Sequence, residues 1–316
     1  MRILDKQSIT FKAKTSFAER VANLHILHPK VQKIWSLLDS MRYHNSFQGG
    51  KSSPRHRFIM GLSGVGKTQM VERYAEKYEG YTQIDEIGDE IDIRPVLYVN
   101  LPDPFTIMEF YQSIIYSLNA PQIPGRPSMG DVKRQVFTLL KMQKVEMVVL
   151  DEMDHILVSR YVKNEEAMSA IKHLTNFGKV SVICVGTPEI EKLRKLDSQY
   201  FRRKPPTKLE RFKECDEEFL QLLASIEEQL LPPKPLFLSD LSADMPLPQV
   251  LHKISYGLVG YLTPILQEAF LLLGVFEPDF DEDTSVLDLG LVLEEAYTNI
   301  IGEVAEEELK KMILID

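Results

Sequence analysis

Cysteine and tryptophan are scarce in this chain: two cysteines, Cys184 and Cys215, and one tryptophan, Trp35, in 316 residues. A single cysteine pair makes no disulfide framework and fits no metal-ligand spacing, so both read as small buried hydrophobes in a reducing compartment. Long apolar runs are missing too. Spanning a bilayer takes ~18–20 apolar residues, and the longest candidate, ILQEAFLLLGVF, is shorter and carries Glu268. The opening MRILDKQSITFKAK has no apolar stretch of the kind a secretory leader needs. These absences point to a cytoplasmic protein with no membrane contact. There are no internal repeats and no low-complexity segments. What is present is an ordinary globular composition, 44% hydrophobic and 26% charged, with length for one or two domains.

A net charge of −9 argues on average against nucleic acid, but the charge is unevenly spread. Residues 1–57 hold eleven Lys/Arg against three Asp/Glu, and residues 191–213 nine against three. Residues 276–316 hold two against thirteen. Two readings stand: plain solvated surface, or a basic body able to meet phosphate with an acidic tail.

Four short runs, RFIMG, VLYVNL, MVVLDE and VSVICVGT, are apolar on both faces, as parallel strands covered on both sides must be. Helical stretches separate them: TQMVERYAEKY, FTIMEFYQSIIYSLN, DVKRQVFTLLKMQ with Val132, Val136, Leu139 and Leu140 on one stripe, and EEAMSAIKHLTNFG with Gly178 as C-cap. The alternation predicts a three-layer α/β sheet. Ahead of it, Pro29 starts a helix with Val31, Ile34, Trp35 and Leu38 inward, and residues 47–56 form a linker. Beyond about residue 213 the pattern becomes helical. Phe219, Leu222, Leu223, Ile226 and Leu230 recur at helical spacing before LPPKP, and further helices are expected around 247–256, 261–274 and 286–312.

The octet GLSGVGKT, residues 61–68, carries the clearest chemistry. Gly61, Gly64 and Gly66 let backbone wrap a phosphate, with Leu62, Ser63, Val65 and Gln69 completing the lining. Backbone N–H groups and the start of the following helix favour the anion. Lys67 reaches the outer phosphates of ATP, and the Thr68 hydroxyl ligates Mg²⁺. Downstream, a buried strand delivers Asp151 to its carboxyl end, where open sheets bind ligands. Asp151 is then the second Mg²⁺ ligand and Glu152 the acid that activates water; otherwise both merely cap a helix. The spacing of the two motifs leaves room for a strand between the phosphate-loop strand and the acid-bearing one, an arrangement that resembles the AAA+ hydrolase lineage (the ASCE type) more than P-loop kinases. Thr187, at the end of VSVICVGT, stands where a γ-phosphate sensor belongs, or simply starts a Thr-Pro helix. Arg202 and Arg203, before Pro205 and Pro206, suit a finger acting on a neighbouring subunit's ATP, a phosphate contact, or plain surface charge.

The blocks HPKVQKIWSLLDSM, GLSGVGKT, VVLDEMDHIL, VGTPEIEKLRKLDSQYFRR, FLQLLASIEEQLLP and SYGLVGYLTPILQEAF occur in the order seen in transposon-encoded AAA+ regulators, and from about residue 18 to 275 the chain resembles the TniB and TnsC-like proteins. The resemblance implies a P-loop AAA+ parallel sheet with a small C-terminal helical domain. The boundaries, read along the chain with the tail outside the resemblance, are 1–56 for an N-terminal helical extension and linker, 57–213 for the nucleotide-binding domain, 214–275 for a helical lid and 276–316 for an acidic tail. It also implies ATP-dependent oligomerisation on double-stranded DNA as a ring or filament, and recruitment of a DDE transposase. The target comes from a selector, a DNA-binding adaptor or an RNA-guided complex, and hydrolysis drives disassembly. Arg203 matches the family's finger position, with Arg202 as a rival because the stretch reads RRK. The GLVGYL helix lacks the second sensor arginine that many AAA+ proteins place there. DNA contacts, by the same resemblance, fall between the second and third strands: Thr106, Arg126, Ser128, Lys133 and Arg134, the last sharing an exposed face with Lys141. Two other classes fit the nucleotide motifs: another DNA-associated AAA+ helper (an initiator or helicase loader), and a signalling or defence ATPase that never touches DNA.

Overall fold

Each of the four apolar runs forms a strand in the computed structural model, which describes residues 15–25, 28–48, 54–84, 86–196, 206–242 and 246–302, with 307, 309, 310 and 313. The strands are β1 (His56–Met60), β4 (Val96–Asn100), β5 (Met147–Asp151) and β6 (Ser181–Gly186). A two-residue β7 (Thr207–Lys208) joins them in a parallel five-stranded sheet ordered β4-β5-β6-β1-β7. Every residue of β5 and β6 is buried, as strands covered on both faces require. The strand that separates the phosphate-loop strand from the acid-bearing one is therefore β6, from later in the chain. The VLYVNL run, expected to supply a strand in that region, takes the edge beyond β5.

The chain divides into two compact units. One comprises residues 31–63 and 67–209. Around its sheet lie α2 (Pro29–Gln48), α3 (Lys67–Lys77), α4 (Ile107–Ser117), α5 (Met129–Met142), α6 (Asp154–Val158), α7 (Asn164–Gly178) and α8 (Glu191–Leu196). Val132, Val136 and Leu140 of α5 are buried, and Leu139 is half-buried at the margin of the same core as Ile114, Val148 and Leu174. On α2, Val31, Ile34 and Leu38 are buried, while half-buried Trp35 donates from Nε1 to the Met70 carbonyl at 3.1 Å. This helix reaches Gln48, into the expected linker, and residues 49–53 lie outside the described ones.

Two expectations are corrected in this unit. Gly178 is the last residue of α7, and the left-handed cap is Lys179 at φ 56°. Gly178 is small for another reason: a Cβ there would lie 3.1 Å from Leu140 Cδ1. An antiparallel hairpin, β2 (Tyr81–Ile84) with β3 (Glu90–Ile93), also stands where no strand was expected. Of the cysteines, Cys184 is fully buried in β6, its thiol pushed up to about 12 by burial, but Cys215, in the second unit, is half-exposed.

The second unit comprises residues 1–30, 64–66 and 210–316. It is helical: α1 (Phe17–Ala22), α9 (Glu217–Leu230), α10 (Leu247–Ser255), α11 (Val259–Leu272) and α12 (Leu289–Ile300), with a 3₁₀ turn at Thr284–Val286. All five apolar residues expected on the inner face of α9 are buried, and α9 ends before LPPKP with Leu231 in the left-handed region. Phe17 sets its ring edge-on to Phe270 at 5.5 Å, and Arg20 Nε donates to the Leu230 carbonyl at 2.6 Å, tying α1 to α11 and α9.

Candidate nucleotide site

Open parallel sheets bring functional side chains together at the carboxyl ends of their strands, and three sequence-predicted residues stand at such ends. Asp151 closes β5 and is 1% exposed. Its Oδ1 accepts the Glu152 N–H at 2.9 Å, and its Oδ2 accepts the Tyr98 hydroxyl at 3.1 Å. Glu152 follows at φ 55°, left-handed backbone that costs a side-chain-bearing residue about 1–3 kcal/mol and persists where the surroundings enforce it. Thr187 follows β6. It caps the 3₁₀ turn Pro188–Ile190 by accepting the Glu189 N–H at 3.3 Å, and it also gives its own hydroxyl to Asp154 Oδ1. The cap is the helix-start reading of Thr187, and the bond to Asp154 holds its hydroxyl at the end of β6.

Asp154 was not singled out from sequence, yet it links these elements. It begins α6, its Oδ2 accepts the Thr187 N–H at 2.8 Å, and it occupies space that a side chain on Gly186 would fill, a Cβ there lying 2.6 Å from Oδ2. The available signal was the acid three residues past Asp151 together with the glycine ahead of Thr187. Tyr98 was missed as well, because a tyrosine in an apolar strand reads as core.

The phosphate-loop sequence sits between β1 and α3, as the motif demands. Lys67 donates from Nζ to the Gly61 and Leu62 carbonyls, each at 2.9 Å. Burial lowers its pKa, and the opposing charges of Asp151, Asp154 and Glu152 act on it to raise it, which sets these acids close by. Thr68 and Gln69 occupy the first turn of α3, whose free N–H groups and dipole favour an anion. The loop tip belongs to the helical unit. There Gly64 and Gly66 adopt φ 78° and 89°, Val65 is buried, and Gly260 N–H donates to the Gly64 carbonyl at 2.7 Å. A Cβ on Gly64 would meet the Tyr261 ring at 2.8 Å.

This donor set fits a nucleoside triphosphate with Mg²⁺. No group of three or more His, Cys, Asp or Glu among the described residues forms a metal cage. One carboxylate and one hydroxyl suit Mg²⁺, which takes the rest of its shell from phosphates and water.

Of the residues expected at DNA, the two hydroxyls are used in helix caps. Thr106 caps α4 through the Glu109 N–H, and Ser128 caps α5 in a reciprocal box with Asp131. Lys133 Nζ lies 5.3 Å from the Tyr111 ring centroid. Arg126 and Arg134 are exposed, Arg134 with an ion pair to Asp131 at 3.8 Å. Arg202 and Arg203 lie outside the described residues.

Residues 21–214 match the family model for the bacterial TniB protein. The chain belongs to the TniB family. No curated protein sequence matches it. Among solved structures, the Aeropyrum pernix ORC2 protein in its ADPNP-ADP complexes is similar with a TM-score of 0.61 at 15% identity, over 90% of this chain and 72% of that one. Cdc6p from Pyrobaculum aerophilum gives 0.55 at 14% identity, over 79% and 64%. The Aeropyrum pernix ORC1 protein in complex with DNA gives 0.54 at 14% identity, over 86% and 64%. At these identities the likeness establishes the fold, which is that of AAA+ ATPases: a parallel five-stranded sheet with flanking helices and a helical C-terminal region. This TniB-family chain spans under two thirds of the latter two. Among the described residues no helix is long and apolar enough to cross a membrane.

Proposed function

We propose that this TniB-family chain is an Mg²⁺-dependent AAA+ ATPase that regulates DNA transposition. It assembles with ATP on target double-stranded DNA as a ring or filament and recruits or activates a DDE transposase at a site chosen by a selector. It disassembles on hydrolysis. The observation that carries the reading is the gathering of Lys67, Asp151, Glu152 and the Asp154-bound Thr187 in one unit of a TniB-family protein.

Each side chain has a task in that reading. Lys67 and the N-terminal N–H groups of α3 hold the outer phosphates, and Thr68 and Asp151 hold Mg²⁺. When bound, the metal neutralises charge on the phosphate oxygens. Glu152 takes a proton from the attacking water, while the Thr187 hydroxyl orients that water. Arg203, or Arg202 beside it, reaches a neighbouring subunit's nucleotide. Residues 57–213 form the nucleotide-binding domain, and 214–275 the lid. Few phosphate contacts per subunit, through Arg126, Arg134 and Lys133, become strong when assembly multiplies them.

Fluorescence anisotropy of a labelled duplex tests this at two salt concentrations, with ADP and with a non-hydrolysable ATP analogue. Binding is expected to be cooperative, indifferent to sequence, dependent on the ATP analogue and steeply weakened by salt. Equal binding with both nucleotides, or none with either, points instead to a signalling ATPase. The fold likeness to a DNA-complexed ORC1 protein supports a second reading, an initiator-like or loader-like helper. Co-purification of the chain with its transposase separates the two.

A further inference from the structure

Asp151 is nearly inaccessible, and each of its carboxylate oxygens already accepts one hydrogen bond. The bond to Oδ1 comes from the backbone of the next residue and is available to any strand-ending aspartate. The bond to Oδ2 comes from Tyr98, a side chain on another strand. Strand register explains how it reaches. β4 and β5 run parallel with Tyr98 opposite Val149, so Asp151, two residues on, projects from the same face as Tyr98. A tyrosine is long enough to span such a diagonal, which shorter side chains are not.

The same phenol meets a second acid. Glu72 lies on α3, five residues after Lys67; partial burial first and the Asp151 charge second raise its pKa, and a hydrogen bond from Tyr98 works against them. A phenol has one proton to give. The 3.1 Å contact gives it to Asp151.

We propose that Tyr98 is the positioning residue for the metal-holding carboxylate. Its hydroxyl fixes the Asp151 carboxylate rotation and ties the acid-bearing strand β5 to β4. The inference rests on the assignment of Asp151 to Mg²⁺ made above. Partners of this kind orient a ligand without touching the metal, and their loss typically weakens metal affinity about 10–100-fold.

The test is Tyr98→Phe in the full chain, which keeps the ring and removes one oxygen. Nucleotide affinity is measured by fluorescence with a labelled ADP in EDTA, and Mn²⁺ affinity by electron paramagnetic resonance at saturating ADP. Asp151→Asn serves as the reference. The expected result is metal-free nucleotide affinity within about twofold of wild type, which also shows that the variant is folded, and a Mn²⁺ affinity lowered about 10–100-fold. In turnover assays the same variant raises the Mg²⁺ concentration needed for half-maximal rate, and excess Mg²⁺ restores most of the wild-type rate. Loss of Mn²⁺ affinity in Asp151→Asn with wild-type affinity in Tyr98→Phe overturns the role of Tyr98 alone. Wild-type Mn²⁺ affinity in Asp151→Asn overturns the metal assignment itself, and the inference with it.

Discussion

Asp154 grips Thr187 twice, accepting its backbone N–H at 2.8 Å through one carboxylate oxygen and its hydroxyl through the other. The pair fixes where the threonine hydroxyl points at the end of β6. Thr187→Val is expected to keep ATP affinity while slowing hydrolysis, and to lose about 1 kcal/mol of stability with the cap on the 3₁₀ turn. Asp154→Ala leaves the Thr187 N–H without that partner and costs about 1–3 kcal/mol. If the two act as a unit, the double variant loses less activity than the product of the single losses. Steady-state ATPase assays with thermal denaturation of all four proteins decide it, and multiplicative losses would show the pair to be independent.

The chemical task proposed for Glu152 and its strained backbone are separated by substitution. Glu152→Gln should retain nucleotide binding and hydrolyse roughly 10²–10⁴ more slowly, the loss expected for a general base. Lys67→Ala should instead weaken binding itself. Glu152→Gly, equally inactive, should melt above Glu152→Ala, since glycine adopts φ 55° without penalty. A Gln variant that turns over like wild type would refute the water-activating role.

Burial in the helical unit makes a pH prediction. His28 is 2% exposed, its ring lies edge-on to Phe212 at 5.3 Å, and its Nδ1 has no hydrogen-bond partner among the described residues. Burial first, and the Lys30 charge second, lower its pKa from 6.5 to about 4. Above pH 6.5 both folded and unfolded chains carry a neutral ring, and the stability is fully present. As pH falls from 6.5 towards 4, the unfolded chain binds a proton that the folded one refuses, and stability falls by up to roughly 3 kcal/mol. Urea denaturation between pH 4.5 and 7.5 should show that slope in wild type and a flatter one in His28→Leu. Parallel curves would locate the acid sensitivity elsewhere.

On α5 the basic residues divide by their surroundings. Lys133 sits against Tyr111, worth about 0.5–1 kcal/mol, whereas Arg134 has a side chain 79% exposed. Lys133→Ala should therefore lower the melting temperature more than Arg134→Ala does. The pair Arg134→Glu and Lys141→Glu should weaken duplex binding with ATP affinity unchanged, and each lost phosphate contact should reduce the salt slope by about 1. Unchanged binding after charge reversal, measured by anisotropy, moves the DNA surface away from this helix.

Four of the five strands of the main sheet were legible because burial on both faces leaves an unbroken apolar run, a signal that turns and amphipathic helices do not imitate; the two-residue β7, polar and partly exposed, carries no such run. Their order was not, because nothing in VLYVNL or VSVICVGT states which neighbour it pairs with, and β6 rather than β4 separates the two motif strands. The β2–β3 hairpin escaped because six of its eight residues are exposed, Tyr81 and Ile84 among them, and no apolar run marks it. At the site, Lys67, Asp151 and Glu152 were readable as motif letters. Asp154 and Tyr98 were not, since their importance lies in the partner each faces across the sheet, a tertiary relation without periodicity.

The two bonds from Lys67 to the carbonyls of Gly61 and Leu62 bear on how tightly any phosphate is held. A cation already satisfied by its own loop does not wait as a bare charge; the incoming anion must take it over. Such charged hydrogen bonds contribute about 1.5–3 kcal/mol each, so affinity registers the difference between old and new partners instead of the whole electrostatic attraction. In the proposed ATPase cycle that exchange would moderate grip and ease release.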